Sequence, residues 1–268
     1  MYVVKLGGSV ITDKRKLYCF RPAVARRLLG EIKASGEKVV LVHGAGSFGH
    51  IMATKYRLKY GLRDDAQRLG VAIVQRDVRD LNLRMVKLAL DAGLRPVSIP
   101  PAMTVLNDDG AIANFNSAVF QACAAQGLTP VTFGDVVFDM SLGFSICSGD
   151  DLALELSRVL KPKKAVFVAD ADGIFDKDPK NHEDARLLER VDGRALGRLK
   201  RHARTCRKCT ENKDRDATGG MLRKIEIMLE ISKLGTGAVI LNGLVPGRLK
   251  DCLKGRKVAG SSTVPGKR

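Results

Sequence analysis

The sequence predicts an α/β protein, with helices covering both faces of a sheet. Three observations carry that reading. Strand-like and helix-like segments alternate along the 268 residues, the order produced when helices flank a sheet. Val39-Val40-Leu41-Val42 is an unbroken apolar run ahead of His43 and Gly44, which suits a strand buried on both faces. Two glycine-rich loops each follow an apolar strand, at Lys5-Leu6-Gly7-Gly8-Ser9 and at His43-Gly44-Ala45-Gly46-Ser47-Phe48-Gly49-His50.

Taken in order, Tyr2-Val3-Val4 is a short first strand. Residues 22–34 read as a helix, with Pro22 at the start and Gly36 beyond the end. Residues 38–42 are the second strand, and residues 64–92 a long helix stopped by Gly93. A strand at 95–99 is halted by Pro100-Pro101; a helix at 117–125 ends before Gly127, and 129–133 is a strand. Residues 136–139 and 144–147 pair as a hairpin across Leu142-Gly143. A helix runs from Gly149 to Leu160, and Lys161-Pro162-Lys163 forms a hinge-like connection. The second half opens with a strand at 165–169. An amphipathic helix follows at 219–233, with Met221, Ile225, Met228, Leu229 and Ile231 near one side. Residues 238–241 make a late strand, and 198–216 read as a mobile loop.

The two loops carry the chemistry. Gly44, Gly46 and Gly49 permit positive φ and close approach of backbone to a ligand. Successive N–H groups in such a loop form an anion-binding concavity, and His50 can add a side-chain donor. Lys5, leaving a strand just before two glycines and Ser9, brings a point charge to phosphate oxygens. The spacing is not that of a Walker P-loop. Each loop alone is also compatible with a plain turn; two of them favour a phosphorylated or carboxylated substrate.

Composition narrows the class. The net charge is +17, aromatics make up 5% and Trp is absent. No apolar run approaches the ~20 residues of a membrane span, and the first residues lack a signal-peptide pattern, so the expectation is a cytoplasmic protein. Cys19, Cys123, Cys147 and Cys252 are scattered, as reduced thiols are. Cys206-Arg207-Lys208-Cys209, with His202 ahead of it, lacks the second ligand pair of a closed zinc site. Basic residues concentrate at 194–215 and in the C-terminal tail, without aromatics for base stacking; anionic substrates explain them more simply than nucleic acid does.

Together the motifs resemble the amino acid kinase superfamily, and within it the isopentenyl phosphate kinase branch. The resemblance runs nearly end to end. It rests on Lys5-Leu6-Gly7-Gly8-Ser9-Val10-Ile11-Thr12 with Lys14 shortly after, on His43 to His50, and on Gly134-Asp135-Val136-Val137. It continues through Ser148-Gly149-Asp150-Asp151, Asp170-Ala171-Asp172-Gly173-Ile174-Phe175, and Thr218-Gly219-Gly220-Met221 followed by Lys224. Ile51 after His50, where proline is common, and the extended loop at 206–214 depart from the pattern. The resemblance implies a three-layer αβα sandwich around a mostly parallel open sheet. It implies an acceptor-binding half (1–160) and an ATP-binding half (161–268) in one continuous domain, usually as a homodimer. It further implies transfer of the ATP γ-phosphoryl group, with Mg2+, onto isopentenyl phosphate. On matching positions, His50, Ala45 and Gly149 would hold the acceptor. Lys5, Leu6, Gly7, Gly8, Ser9, Gly46, Asp170, Gly220 and Lys224 would belong to ATP binding, and His50, Lys5 and Lys14 would be catalytic.

The residue chemistry agrees independently. A phosphate-monoester acceptor, with a second pKa of about 6, is already mostly a dianion at neutral pH and needs no general base. It needs donors that offset repulsion between two polyanions. The N-terminal loops supply lysines, amides and a histidine, and contain no carboxylate. No acidic metal-binding pair is assignable, so magnesium is expected to arrive with ATP, held mostly by phosphate oxygens and water. Asp135 reads as a turn residue or an orienter. Either Asp150 or Asp151 caps the next helix. Two rivals stay open: a fosfomycin-type phosphonate kinase of the same branch, and a nucleic-acid-binding protein on a kinase-like fold.

Overall fold

The computed structural model describes residues 1–177, 179, 182–205 and 219–266. Its strands are β1 (Tyr2–Leu6), β2 (Val39–His43), β3 (Pro96–Ser98), β4 (Val105–Asp108), β5 (Ala111–Phe115), β6 (Thr129–Phe133), β7 (Asp135–Asp139), β8 (Gly143–Cys147), β9 (Lys164–Ala169), β10 (Gly237–Asn242) and β11 (Ser261–Ser262). Its helices are α1 (Gly8–Ile11), α2 (Pro22–Ser35), α3 (Gly46–Lys55), α4 (Asp65–Asp91), α5 (Ala118–Ala125), α6 (Gly149–Leu160), α7 (Gly193–Thr205), α8 (Gly219–Lys233) and α9 (Arg248–Leu253).

The main sheet has the order β11-β10-β9-β1-β2-β6-β3, parallel throughout except for the β10–β11 pair. Every residue of β1 and β2 is buried, and alternation divides their side chains between two layers. Val3, Val40, Val42 and Phe167 meet Phe120, Leu152, Leu156, Ile225 and Met228 on one face. Val4, Leu6, Leu41 and Val168 meet Leu28, Leu29, Ile32, Leu81 and Met85 on the other. That is the three-layer αβα sandwich around a mostly parallel open sheet expected above.

β9 lies between β1 and β10, so the sheet runs unbroken through both halves of the chain. The 161–163 connection is pinned: Lys161 caps α6 with φ 44° and Lys163 N donates to Met1 O at 2.9 Å. A smaller sheet, β5-β4-β7-β8, stands beyond β6 and contains the expected hairpin, Asp135–Asp139 against Gly143–Cys147.

Several elements differ from expectation. Gly46 to His50 is not the end of a loop but the first turn and a half of α3. The glycines there serve packing: a Cβ on Gly49 would meet Val78 Cγ1 of α4 at 3.1 Å. The β4–β5 hairpin is an addition to the expected elements, although its Asp109-Gly110 turn has φ of 48° and 78°, the conformation for which Asp-Gly is selected. Residues 198–205 belong to helix α7 rather than to a loop; the remainder of that expected loop, with Cys206 and Cys209, lies outside the described residues. Two short elements, α9 and β11, carry no periodic signal. Among the described residues no helix is long and apolar enough to cross a membrane.

Candidate active site

Parallel pairing sets Leu6 beside His43 and Val168, and His43 beside Phe133. The loops after β1, β2, β6 and β9 therefore leave one edge of the sheet together, the edge where open α/β sheets bind ligands. The contact there is backbone on backbone. A Cβ on Gly8 would lie 2.6 Å from Gly46 N, and one on Gly44 would lie 2.6 Å from Gly8 N. Gly46 takes φ 52° against the Thr12 side chain. Thr12 ties the two loops: its hydroxyl donates to Gly8 O at 2.6 Å and accepts from Ser47 N at 3.0 Å. Gly44 N donates to Leu6 O at 2.9 Å and Gly7 N to Val168 O at 2.8 Å, so Leu6 and Gly7 contribute structure through their backbone.

The starts of α1, α3 and α6 converge on this edge. A Cβ on Gly134 would meet Gly149 N at 3.3 Å and Ala45 N at 3.6 Å. The first N–H groups of a helix have no partner within it, and the dipole there favours anions. Gly8, Ser9, Ala45, Gly46 and Gly149 all occupy such starts.

Two lysines face these amides through one carboxylate. Lys5 Nζ lies 2.9 Å from Asp150 Oδ1, and Lys224 Nζ 2.5 Å from Asp150 Oδ2. All three side chains are at least four-fifths buried. Gly149 makes this possible, since a Cβ there would press on Lys5 Cε at 3.3 Å. Burial by itself would raise the Asp150 pKa; the charges of Lys5 and Lys224 outweigh it and hold the carboxyl well below the usual carboxylate range. Burial, and then the charge of Lys5, bring Lys224 down to about 8, against the pull of Asp150. Asp150 is thus a poor base and a strong orienter of two cations. The helix cap falls to others: the Ser148 hydroxyl accepts from Asp151 N at 3.1 Å, and Asp151 pairs with Arg223 at 2.8 Å.

Asp170 and Asp172 follow β9, and Asn242 ends β10. Asp170 accepts from the Ser9 hydroxyl at 2.9 Å. Asp172 is held by Arg248 at 2.5 Å and Asn242 at 3.3 Å, and Glu31 on α2 accepts from Gly247 N and Lys250 N at the start of α9. Gly220, half-buried, stands in the first turn of α8, one turn ahead of Lys224.

Two expected residues are placed differently from Lys5 and Lys224. His50 is exposed on α3, immediately past the glycine loop. Lys14 is exposed just past the neck of a turn over residues 13–19, outside the buried Lys5–Asp150–Lys224 cluster. Sequence reading finds both lysines of that cluster and misses their common carboxylate, because only the fold brings Asp150 to loops that contain no acid of their own. Two buried titratable groups lie at the end of β2 and the start of β7. Burial lowers His43 to about 4, with its ring stacked 5.2 Å from Phe133. Burial raises Asp135 to about 6, opposed by Arg79 at 3.2 Å.

Two lysines and several helix-start amides brought together at one sheet edge suit phosphoryl transfer, and the chain belongs to the amino acid kinase family, which it matches over residues 1–242. Within that family its relatives include isopentenyl phosphate kinases. It is 34% identical over 252 residues to the isopentenyl phosphate kinase of Thermoplasma acidophilum, spanning 94% of this chain and 95% of the relative. It is 35% identical over 272 residues to that of Methanothermobacter thermautotrophicus, spanning 97% and 98%. An X-ray structure of isopentenyl phosphate kinase superimposes with a TM-score of 0.85 at 30% identity, over 98% of this chain and 100% of the other.

Proposed function

We propose that this chain transfers the γ-phosphoryl group of ATP to isopentenyl phosphate, giving isopentenyl diphosphate and ADP. The observation that carries this is the Lys5–Asp150–Lys224 cluster facing three helix starts, together with near-full-length similarity to isopentenyl phosphate kinases. The acceptor dianion is itself the nucleophile. Catalysis then consists of bringing two polyanions together and neutralising charge as the phosphoryl group moves. In this reading Lys5 and Lys224 face the transferring group, held apart and aimed by Asp150. Gly8, Ser9 and Gly46 donate amides to the ATP phosphates, while Ala45, Gly149 and His50 receive the acceptor phosphate. Lys14 adds a further cation from its turn, and Leu6, Gly7, Asp170 and Gly220 shape the nucleotide side.

Among the described residues no three His, Cys, Asp or Glu side chains are grouped to hold a metal ion. A nucleotide-borne Mg2+ needs no such group, because it keeps most of its shell as water and phosphate oxygen; Asp170, which accepts a neutral hydroxyl from Ser9, would be one protein carboxylate at that edge able to meet it. When bound, the ion supplies charge neutralisation on the phosphates.

The same reading makes the protein a cytoplasmic homodimer, with residues 1–160 as the acceptor half and 161–268 as the ATP half. Free Cys19, Cys123, Cys147 and Cys252 support a reducing compartment. On α4, Leu69, Leu83 and Leu90 expose more than half of their surface at heptad-related spacing, beside the edge strand β3 with exposed Val97. Such a stripe next to an open sheet edge favours a second copy.

Phosphorus NMR of the protein with ATP, magnesium and isopentenyl phosphate tests the reading. A new diphosphate signal formed at enzymatic rates is the expected result. Turnover of a small phosphonate in its place would move the acceptor class, and silence with every phosphate acceptor would refute the kinase assignment.

A further inference from the structure

The turn that carries Lys14 is clamped by one aromatic residue in an unfavourable conformation. Its neck is closed by the Thr12–Phe20 bridge and by Asp13 N donating to Cys19 O at 2.9 Å. Arg15 is folded back onto Asp13 at 2.9 Å. Beyond the neck, Tyr18 adopts φ 55°, a left-handed backbone that costs an aromatic residue free energy. What offsets this is outside the turn. The Tyr18 hydroxyl donates to Asp77 Oδ2 of α4 at 2.7 Å, and its ring lies 5.5 Å from that of Phe48 on α3. Next to it, Cys19 N donates to Ser47 Oγ of α3 at 3.1 Å.

Asp77 is built to receive that hydroxyl. It is 4% exposed, and Arg76 engages its other oxygen, Oδ1, through Nε at 2.8 Å and Nη2 at 2.7 Å. One oxygen is therefore charge-balanced from solvent while the other points to Tyr18. The hydrogen bond to Asp77, reinforced by burial, raises the Tyr18 pKa, so the phenol stays a donor across the neutral range.

We propose that Tyr18 is a positioning residue for phosphoryl transfer: by binding Asp77 it holds the turn on α3 and α4, so that Lys14 is presented to the transferring phosphates. The proposal rests on the reading of Lys14 as a catalytic cation. Ser47 and Phe48 belong to the first turn of α3, next to the Gly46 amide, so the clamp ties the turn to the acceptor loop itself.

The test is Tyr18→Phe, which removes one hydroxyl and keeps the ring. It is made alone and combined with Lys14→Met, in the full chain. Two quantities are followed: kcat with saturating ATP and isopentenyl phosphate, and the rate of tryptic cleavage at Arg15 and Lys16. Losing a hydrogen bond to a buried charged acceptor predicts about tenfold lower kcat. Cleavage in the turn should rise by a similar factor, with cleavage elsewhere and the acceptor KM unchanged. In the Lys14→Met background, Tyr18→Phe should lower kcat no further. An equal loss of kcat in both backgrounds, or unchanged cleavage and kcat, would overturn the proposal. Full activity of Lys14→Met alone would remove the Lys14 reading; the cleavage rate, which involves none of Lys14's chemistry, would still judge the clamp separately.

Discussion

Asp150 and Lys224, 74 residues apart in the chain, close the candidate phosphate site with a 2.5 Å contact between Oδ2 and Nζ. The other oxygen of the same carboxylate serves Lys5 at 2.9 Å. A single acid thus spaces two cations that would otherwise repel one another. Asp150→Asn should lower kcat on the order of 100-fold, since two donors lose their alignment where charge develops. ATP affinity should be retained or increased, because the lysines then lack a counterion. Steady-state kinetics check both, and wild-type kcat would reduce Asp150 to a spectator.

The same cluster sets an alkaline limit. Burial and Lys5 bring Lys224 to about 8, so in the free protein its positive charge is lost as pH rises through that value. kcat/KM for ATP should fall above pH ~8, whereas kcat at saturation should fall at higher pH, where bound phosphates stabilise the cation. Coincident limbs in the two profiles would contradict this origin. Lys224→Arg, which titrates far higher, should lose the limb near 8.

His50 is exposed on α3, immediately after Gly49. His50→Ala should reduce kcat/KM for the acceptor by orders of magnitude and leave thermal unfolding near that of the wild type. Near-wild-type turnover would end its assignment to the acceptor phosphate.

The loop contacts predict a contrast between two glycines. Gly8→Ala drives a methyl into Gly46 N at 2.6 Å and Gly46 Cα at 2.7 Å; both are backbone, so the loops must part. A stability loss of about 1–3 kcal/mol is expected, together with loss of turnover. A methyl on Gly30, inside α2, would meet nothing within 4 Å; Gly30→Ala should stabilise by about 0.5–1 kcal/mol. Denaturant titration of the two variants measures both signs, and a tolerated Gly8→Ala would show that the loops are not in contact in solution.

His43 links stability to acid. Its folded pKa is lowered to about 4 by burial, below the ordinary value of 6.5. As pH falls from 6.5 towards 4 the unfolded chain takes up a proton that the folded chain refuses. The stability present above that window is therefore lost within it, by at most about 3 kcal/mol. His43→Asn should flatten the slope of unfolding free energy over the same range; an unchanged slope would assign the acid sensitivity to other groups.

How far the sequence reaches can be judged residue by residue. The apolar run of β2, the alternation of elements and the ends of α2 and α4 are legible because they are local: period, proline and glycine placement act within a few residues. Lys5, Gly8 and Gly46 are legible as candidates for the same reason, through strand-then-glycine motifs, whereas Lys224 is legible only through the family resemblance. The Asp109-Gly110 turn is a local signal of the same kind, but the strands beside it are short and mostly exposed, so no apolar pattern draws attention to it. Helix α3 is not legible, since its glycines resemble a loop until the wall of α4 that they fit against is known.

By itself the sequence determined the sheet, the two layers around it and the loops able to receive phosphate, because burial and turn chemistry follow from neighbouring residues. Only the tertiary structure decided that Asp150, rather than Asp151, meets both lysines, and that Tyr18 is tied to Asp77. The lysine and tyrosine contacts are pairings between residues far apart in the chain. Which of two adjacent acids enters a buried site depends on where the start of α6 lands against strand β1 and helix α8, and no local pattern encodes that distance.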